Sequence, residues 1–267
     1  MSKVALCCGI NDYEGVGSDL SGCVNDAIDV SEALTIRGFT VDTMLDSDAT
    51  SVAIAARLKA MIAAAKYGDI VVFHFSGHGS YVPDTTGDEP DGRDEILVTY
   101  DIEQGRWLED DALAEIFGER ERGVRIVFLA DSCHSGTVSR FSTQISPRDG
   151  STRVRFLPPA TFLKESTRGL TSLVPTRMRP RKVGGSSLLL SGTDDLTYSY
   201  DAVINGRPNG AFTRALLDSL AELHSPANYL DLWKKVRTKL PSAEYPQYPA
   251  ILGERHIKRW GIFEEGR

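Results

Sequence analysis

The sequence predicts an α/β protein with a mostly parallel central sheet and helices on both faces. Two observations carry this. Short, continuous apolar runs recur along the 267 residues, and segments with helical periodicity separate them. Strand alternating with helix demands crossovers, which a parallel sheet covered on both faces accommodates.

Each element follows from its own stretch. "KVALCCG" near the start is a buried strand. "GCVNDAIDVSEALTIRG" places Val24, Ala27, Ile28, Ser31 and Leu34 on one helical face and stops at Gly38. "FTVDTML" is a second strand. "TSVAIAARLKAMIAAAKYG" is a second helix, with Thr50 or Ser51 as N-cap and Gly68 as its stop. "DIVVFHFSG" is a third strand, "DDALAEIFGE" a helix, "VRIVFLADS" a fourth strand and "SSLLLSG" a fifth. "NGAFTRALLDSLAEL" and "NYLDLWKKVRTKL" supply the later helices. Two regions break the rhythm: an acidic loop from Asp84 to Asp101, and a stretch over 139–185 rich in Ser, Thr, Pro and Arg, which reads as a mobile loop within a single domain of residues 1–267.

Composition narrows the function classes. With 41% hydrophobic and 25% charged residues, the chain has the make-up of an ordinary globular protein. No apolar run is long enough to span a bilayer, and the N-terminus reads as a first strand rather than a signal peptide, so the expected location is cytoplasmic, away from membranes. Four cysteines make no disulfide framework, and none has zinc-ligand spacing. The formal net charge is −7, yet His134 to Lys182 holds ten Lys or Arg against two Asp or Glu. That segment lacks aromatic interleaving and any nucleic-acid reader motif, so it reads as a solvated basic loop.

Chemistry concentrates at two strand ends. Active sites of open α/β sheets gather at the carboxyl ends of strands. "VVFHFSGHGS" delivers His78 between Gly77 and Gly79, and "IVFLADSCHSG" delivers Cys133. If these strands are neighbours, a thiol and an imidazole share one rim, the minimal arrangement for a thiol nucleophile. The N–H groups of Gly79 and Cys133 could then stabilise an oxyanion. A lone cysteine at a strand end is more often a packing residue; its pairing with a glycine-flanked histidine points to catalysis. Asp131, two residues before Cys133, is a puzzle, because a carboxylate disfavours a thiolate beside it.

"HFSGHGS" with "DSCHSGT" resembles the metacaspases, relatives of the caspases. "GINDY" and "LSGCVNDA" near the start, "LLLSGTDDLTYSYD" with "NGAFTRALL", and "YPQYPAI" extend the likeness over nearly the whole chain. The resemblance implies a caspase-like three-layer sandwich and a cysteine endopeptidase with His78 and Cys133 as its dyad, acting on proteins or peptides as a monomer. It also implies a first specificity pocket for Arg or Lys, with Cys23, Asp26, Ser76 and Asp131 at the matching positions. Caspases proper cut after Asp and need arginines there, whereas these positions are acidic. Asp131 thus acquires a role in holding a cationic substrate side chain.

The family's calcium pattern matches at Asp94, Asp110 and Asp111, but its fourth aspartate falls on Arg140. A guanidinium cannot ligate a hard cation. The expectation is an enzyme that needs no cofactor, with a calcium site or a salt bridge from Arg140 as the two readings of this cluster. Self-cleavage in the basic loop would use sites of the enzyme's own preference, after Arg168 or among Arg177, Arg179, Arg181 and Lys182. The alternative to a peptidase is a catalytically silent caspase-like interaction module.

Overall fold

The computed structural model describes residues 1–13, 15–84, 87, 92–133, 152–163, 187–194 and 197–264. In chain order the elements are β1 (Lys3–Gly9), α1 (Cys23–Thr35), β2 (Thr40–Leu45), α2 (Ser51–Ala64), β3 (Ile70–Ser76), β4 (Gly79–Pro83), β5 (Arg93–Leu97), β6 (Leu108–Glu109), α3 (Asp110–Gly118) and β7 (Arg125–Asp131). They continue with β8 (Arg153–Val154), β9 (Ser187–Ser191), β10 (Tyr200–Ile204), β11 (Arg207–Gly210), α4 (Ala211–Glu222), α5 (Tyr229–Val236) and β12 (Ala250–Leu252).

The central sheet has the order β12-β9-β7-β3-β1-β2. Its pairings are parallel except β12 with β9. The predicted α/β class therefore holds, with one antiparallel edge strand added by "AIL". Side chains alternate across the sheet, as the period of two requires. Val71, Phe73 and Phe75 face a core shared with Ile54 and Leu58 of α2 and Leu113 and Ile116 of α3. Ile70 and Val72 face Val30 and Leu34 of α1, Leu216 of α4 and Leu232 of α5. Burying both faces is what makes these strands continuous apolar runs.

Side-chain caps mark the starts of two helices. Thr50 is the N-cap of α2, its side chain accepting from Ala53 N–H. Asn228 and Asp231 form a reciprocal capping box on α5. The buried face of α1 differs from the predicted one: Cys23, Asp26, Ala27, Val30 and Leu34 face inward, while Ile28 is exposed. A buried carboxylate on that face displaced the apolar pattern.

Two departures matter for the site. The acidic stretch 84–101 is not a plain loop; it contains β5, which pairs with β4 and β6 in a small antiparallel sheet. The basic stretch over 139–185 contains a packed piece: within 152–163, β8 adds antiparallel to the β10–β11 hairpin, and Arg155 is fully buried. That hairpin turns at Asn205 and Gly206, both at positive φ (53° and 80°), a conformation these residue types tolerate.

Candidate active site

Strands β3 and β7 are direct neighbours, and their register sets Ser76 opposite Asp131. His78 and Cys133 each follow two residues later, so both emerge at the same carboxyl-end rim. His78 Nε2 lies 2.6 Å from the carbonyl oxygen of Ser18. Because a carbonyl only accepts, Nε2 carries the proton in the neutral ring and Nδ1 is left with its lone pair. Nδ1 is buried, and no hydrogen-bond partner for it is found among the described residues. The Tyr13 hydroxyl accepts from the His78 backbone N–H at 2.8 Å, and the Tyr13 ring packs 4.9 Å from the imidazole. Burial pulls His78 down to about 4, with the Ser18 carbonyl opposing and the Arg155 guanidinium adding to the fall. The imidazole is neutral near pH 7.

Cys133 is fully buried. Its Sγ accepts from Ser199 N–H at 2.8 Å and lies 3.5 Å from the Ser199 carbonyl oxygen. Burial pushes this thiol up to about 12; the Ser199 N–H pulls it down, and the Asp131 carboxylate pushes it further up. With the cleft filled as it is here, the resting pair is a thiol and a neutral imidazole.

A pocket opens beside them, and Arg155 fills it. Its Nη2 lies 2.7 Å from Asp26 Oδ2 and 3.0 Å from Asp201 Oδ1, and its Nη1 lies 3.1 Å from Asp131 Oδ2. Nη1 also donates to Ser76 Oγ at 2.7 Å and to the Asp131 carbonyl at 3.2 Å. Ser76 Oγ in turn donates to Asp26 Oδ2 at 2.8 Å. The carboxylates are themselves braced. Asp131 accepts from Thr213 N–H at 2.9 Å, from Thr213 Oγ1 at 2.7 Å and from Ser199 Oγ. Asp26 accepts from Gly210 N–H at 2.9 Å and Asn209 Nδ2 at 3.1 Å; Asp201 accepts from the backbone N–H groups of Ser21 and Gly22. Burial pushes Asp26 up to about 6 despite the guanidinium. For Arg155, burial acts to lower the pKa, and the surrounding acidic groups, Asp131 foremost with Asp26 and Asp201, overcome it and hold it above the ordinary value.

The main chain of Arg155 is held as well. Its carbonyl oxygen accepts from Gly79 N–H at 3.0 Å and from Cys133 N–H at 3.2 Å. The two N–H groups singled out in the sequence therefore converge on one carbonyl oxygen, adjacent to the thiol. Two donors at a carbonyl, a thiol, an oriented imidazole and a cation pocket are the parts that acyl transfer next to a basic residue requires.

The structure thus gathers Asp26, Ser76 and Asp131 on one guanidinium, with Cys23 close enough for the same charge to act on its thiol. Sequence reading missed Ser18, Ser199, Asp201, Gly210, Thr213 and Arg155. Ser199 and Asp201 lay inside the quoted "LLLSGTDDLTYSYD" and Gly210 and Thr213 inside "NGAFTRALL", without being singled out. His74, inside β3, is 1% exposed, and among the described residues neither of its ring nitrogens has a hydrogen-bond partner.

Asp94, Asp110 and Asp111 lie in one acidic neighbourhood with Asp84 and Glu109. Burial first, then those charges, push Asp94 up to about 7. The described residues nonetheless contain no group of three His, Cys, Asp or Glu that could hold a metal ion. Arg140 and the cleavage sites Arg168, Arg177, Arg179, Arg181 and Lys182 lie outside the described residues. Among the described residues no helix is long and apolar enough to cross a membrane.

Comparison with known proteins points the same way. A family model described as "Caspase domain" matches residues 2–258. Metacaspase-1 of Kluyveromyces lactis is 32% identical over 93% of this chain and 65% of its own length. Metacaspase-1A of Aspergillus oryzae is 29% identical over 94% of this chain and 67% of its own. The chain spans about two thirds of the length of these relatives. Among solved structures, a Geobacter sulfurreducens protein aligns over 99% of both chains with a TM-score of 0.76 and 27% identity. Caspase-1 of Spodoptera frugiperda aligns over 94% of this chain and 86% of its own with a TM-score of 0.61; at 17% identity this likeness speaks to the fold alone.

Proposed function

Because the chain belongs to the caspase-domain family, we propose that it is a cysteine endopeptidase that cuts peptide bonds after Arg or Lys. The observation that carries the reading is Arg155: its guanidinium rests on the carboxylates of Asp26, Asp131 and Asp201 while its carbonyl takes both N–H donors beside Cys133. A substrate arginine bound in the same way presents its carbonyl carbon to the thiol.

Cys133 Sγ is the nucleophile. His78, held by Ser18 with Nδ1 unprotonated, takes the thiol proton and gives it to the leaving amine. Gly79 and Cys133 N–H hold the oxygen as negative charge develops on it. The pocket prefers Arg over Lys, since a planar fork meets several carboxylate oxygens at once. Asp131, the carboxylate that looked misplaced beside a thiol, is neutralised by the cation it binds.

Substrates are proteins or peptides, with no nucleic acid or membrane involved, and the working unit is a cytoplasmic monomer needing no cofactor. Self-cleavage in the basic segment belongs to the same reading. The test is turnover of a short fluorogenic arginyl peptide by wild type, Cys133→Ala, His78→Ala and the double variant, each in chelator and in added calcium. Both single variants should lose most activity, with the double variant little worse, because the pair acts as a unit. Chelator should leave the wild type active. Full activity in Cys133→Ala protein would remove the assignment and favour a silent interaction module.

A further inference from the structure

His74 is a buried imidazole with no part in the chemistry described above. It lies in β3 one step behind Ser76 on the same face of the sheet, roughly 7 Å along the strand. We propose that His74 is a positioning residue for the cation pocket: it carries a proton as counter-charge while the pocket holds no guanidinium, and gives that proton up when an arginine side chain enters. This rests on the arginine-directed peptidase reading above.

Placement carries the argument. In the sheet register His74 lies between Cys7 of β1 and Leu129 of β7, and the next pair on this face is Ser76 with Asp131. Ser76 Oγ donates to Asp26 Oδ2 and accepts from Arg155 Nη1, so the floor of the pocket begins directly beyond the imidazole. Both ring nitrogens are buried, and no hydrogen-bond partner for either is found among the described residues. A buried polar group without a hydrogen bond is destabilising. The preceding positions on this face, Ile70 and Val72, are apolar as packing requires. An imidazole at this depth packs poorly, but it is the side chain suited to taking a proton next to carboxylates.

The surrounding groups set the sign. Burial holds the ring neutral, down at about 4; the Asp131 carboxylate pulls the other way, and the Arg155 guanidinium adds to the fall. α1 contributes Asp26 and β10 contributes Asp201, both paired with the same guanidinium. Cys7 of β1 is neutral, its thiol pushed up to about 12 by burial. α4 brings Phe212 and Leu216 to this core, while its Arg214 and Asp218 pair with each other near the surface. Tyr229 of α5 is a neutral phenol, raised by burial. Among the described residues, no cation other than Arg155 pairs with Asp26, Asp131 or Asp201.

Without a guanidinium in the pocket, the charge that repels a proton from His74 is gone and the carboxylates that attract one remain. The imidazole then protonates more readily. The coupling is reciprocal: a guanidinium that lowers the proton affinity of His74 is itself bound less tightly once His74 is protonated. As pH falls, the proton therefore competes with the substrate's arginine for the same carboxylates.

The experiment measures KM and kcat for one arginyl peptide between about pH 7.5 and pH 5.5 in wild type, His74→Leu and His74→Gln. Leucine fills the space without polarity, and glutamine keeps polarity without a charge, so neither takes the proton. Wild-type KM should rise as pH falls. In both variants the rise should be about tenfold smaller, the worth of one competing proton over one pH unit, and KM at pH 5.5 should lie below the wild-type value. The share owed to Asp26 stays in all three, as does the pH dependence of kcat set by His78. A residue that only shaped the core would raise KM or lower kcat at every pH alike. Imidazole NMR gives a reading without turnover: relative to Cys133→Ala protein, adding Arg155→Gln should move the His74 titration up by at least about one pH unit. Because Arg155→Gln strands buried carboxylates, the kinetic comparison stands independently of it. The proposal is overturned by KM curves that run parallel in all three proteins, by a His74→Gln curve that matches wild type, or by a His74 titration that Arg155→Gln leaves in place. Failure of the peptidase reading would show differently, as no arginyl-peptide turnover by wild type at any pH.

Discussion

Arg155 Nη2 and Asp26 Oδ2 are 2.7 Å apart, and neither side chain touches solvent. A buried ion pair gives little net stability, yet removing one partner is costly, typically about 3–5 kcal/mol, because the other charge is stranded. Here one guanidinium serves the carboxylates of Asp26, Asp131 and Asp201. Such a pocket is built around a cation and is poorly suited to stand empty or to take a neutral side chain.

Asp201 is the pocket carboxylate that sequence reading did not select, and it gives the first prediction. Asp201→Asn should lower kcat/KM for arginyl peptides by about 10- to 100-fold, the worth of one charge-assisted hydrogen bond at roughly 1.5–3 kcal/mol. Activity on lysyl peptides should fall as well. Steady-state kinetics on the purified variant check this; unchanged kcat/KM would place Asp201 outside the substrate's reach.

Gly210 closes the pocket wall. A Cβ there would lie 2.1 Å from Asp131 Oδ2, 2.5 Å from Arg155 Nη1 and 2.7 Å from Asp26 Oδ2. Gly210→Ala should therefore destabilise the fold by about 1–3 kcal/mol through overcrowding and bring arginyl-peptide turnover close to background. Denaturant midpoints and turnover measured together check both halves. A folded, fully active Gly210→Ala protein would mean the pocket can widen at no cost.

What the sequence made legible divides along physical lines. Strands β1, β3, β7 and β9 announce themselves because both their faces are covered, and the glycines around His78 mark a strand end built for close approach. Asp26 misled the reading of α1, since a charged residue on a helix face ordinarily signals solvent; only the guanidinium across the fold makes its burial tolerable. Arg155 was hidden for the same reason. In a basic, Pro- and Ser-rich stretch one arginine looks like another, and its partners come from α1, β7 and β10, far away in sequence. The β10–β11 hairpin went unread, although the Asn-Gly pair in "VINGRP" is a turn signal.

Between pH 7 and pH 5 the buried groups should offset one another. His74 and His78 are both held near 4 by burial, against 6.5 for the free side chain; for His74 the Asp131 charge opposes the shift and Arg155 adds to it. Both are neutral when folded. As pH falls from 6.5 toward 4, the unfolded chain takes up protons that the folded chain refuses, so stability is lost across that window. Asp26, pushed up to about 6, and Asp94, pushed up to about 7, act with the opposite sign, because the folded chain binds their protons first. Two carboxyls nearly cancel two imidazoles, and the net change between pH 7 and pH 5 should stay within about 1 kcal/mol. Urea denaturation of Cys133→Ala protein, which avoids self-cleavage, measures this; a stability lower at pH 5 by about 3 kcal/mol would contradict it.

The most direct test of the central claim compares kcat/KM for peptides identical except at the residue before the cut, with Arg, Lys, Gln or Asp there. The account predicts Arg at or above Lys, both at least about 100-fold above Gln, since a neutral side chain forfeits charge-assisted bonds to the pocket carboxylates. Asp should be slowest, facing Asp26, Asp131 and Asp201 with a like charge. Cleavage after Asp or Gln as fast as after Arg would contradict the account.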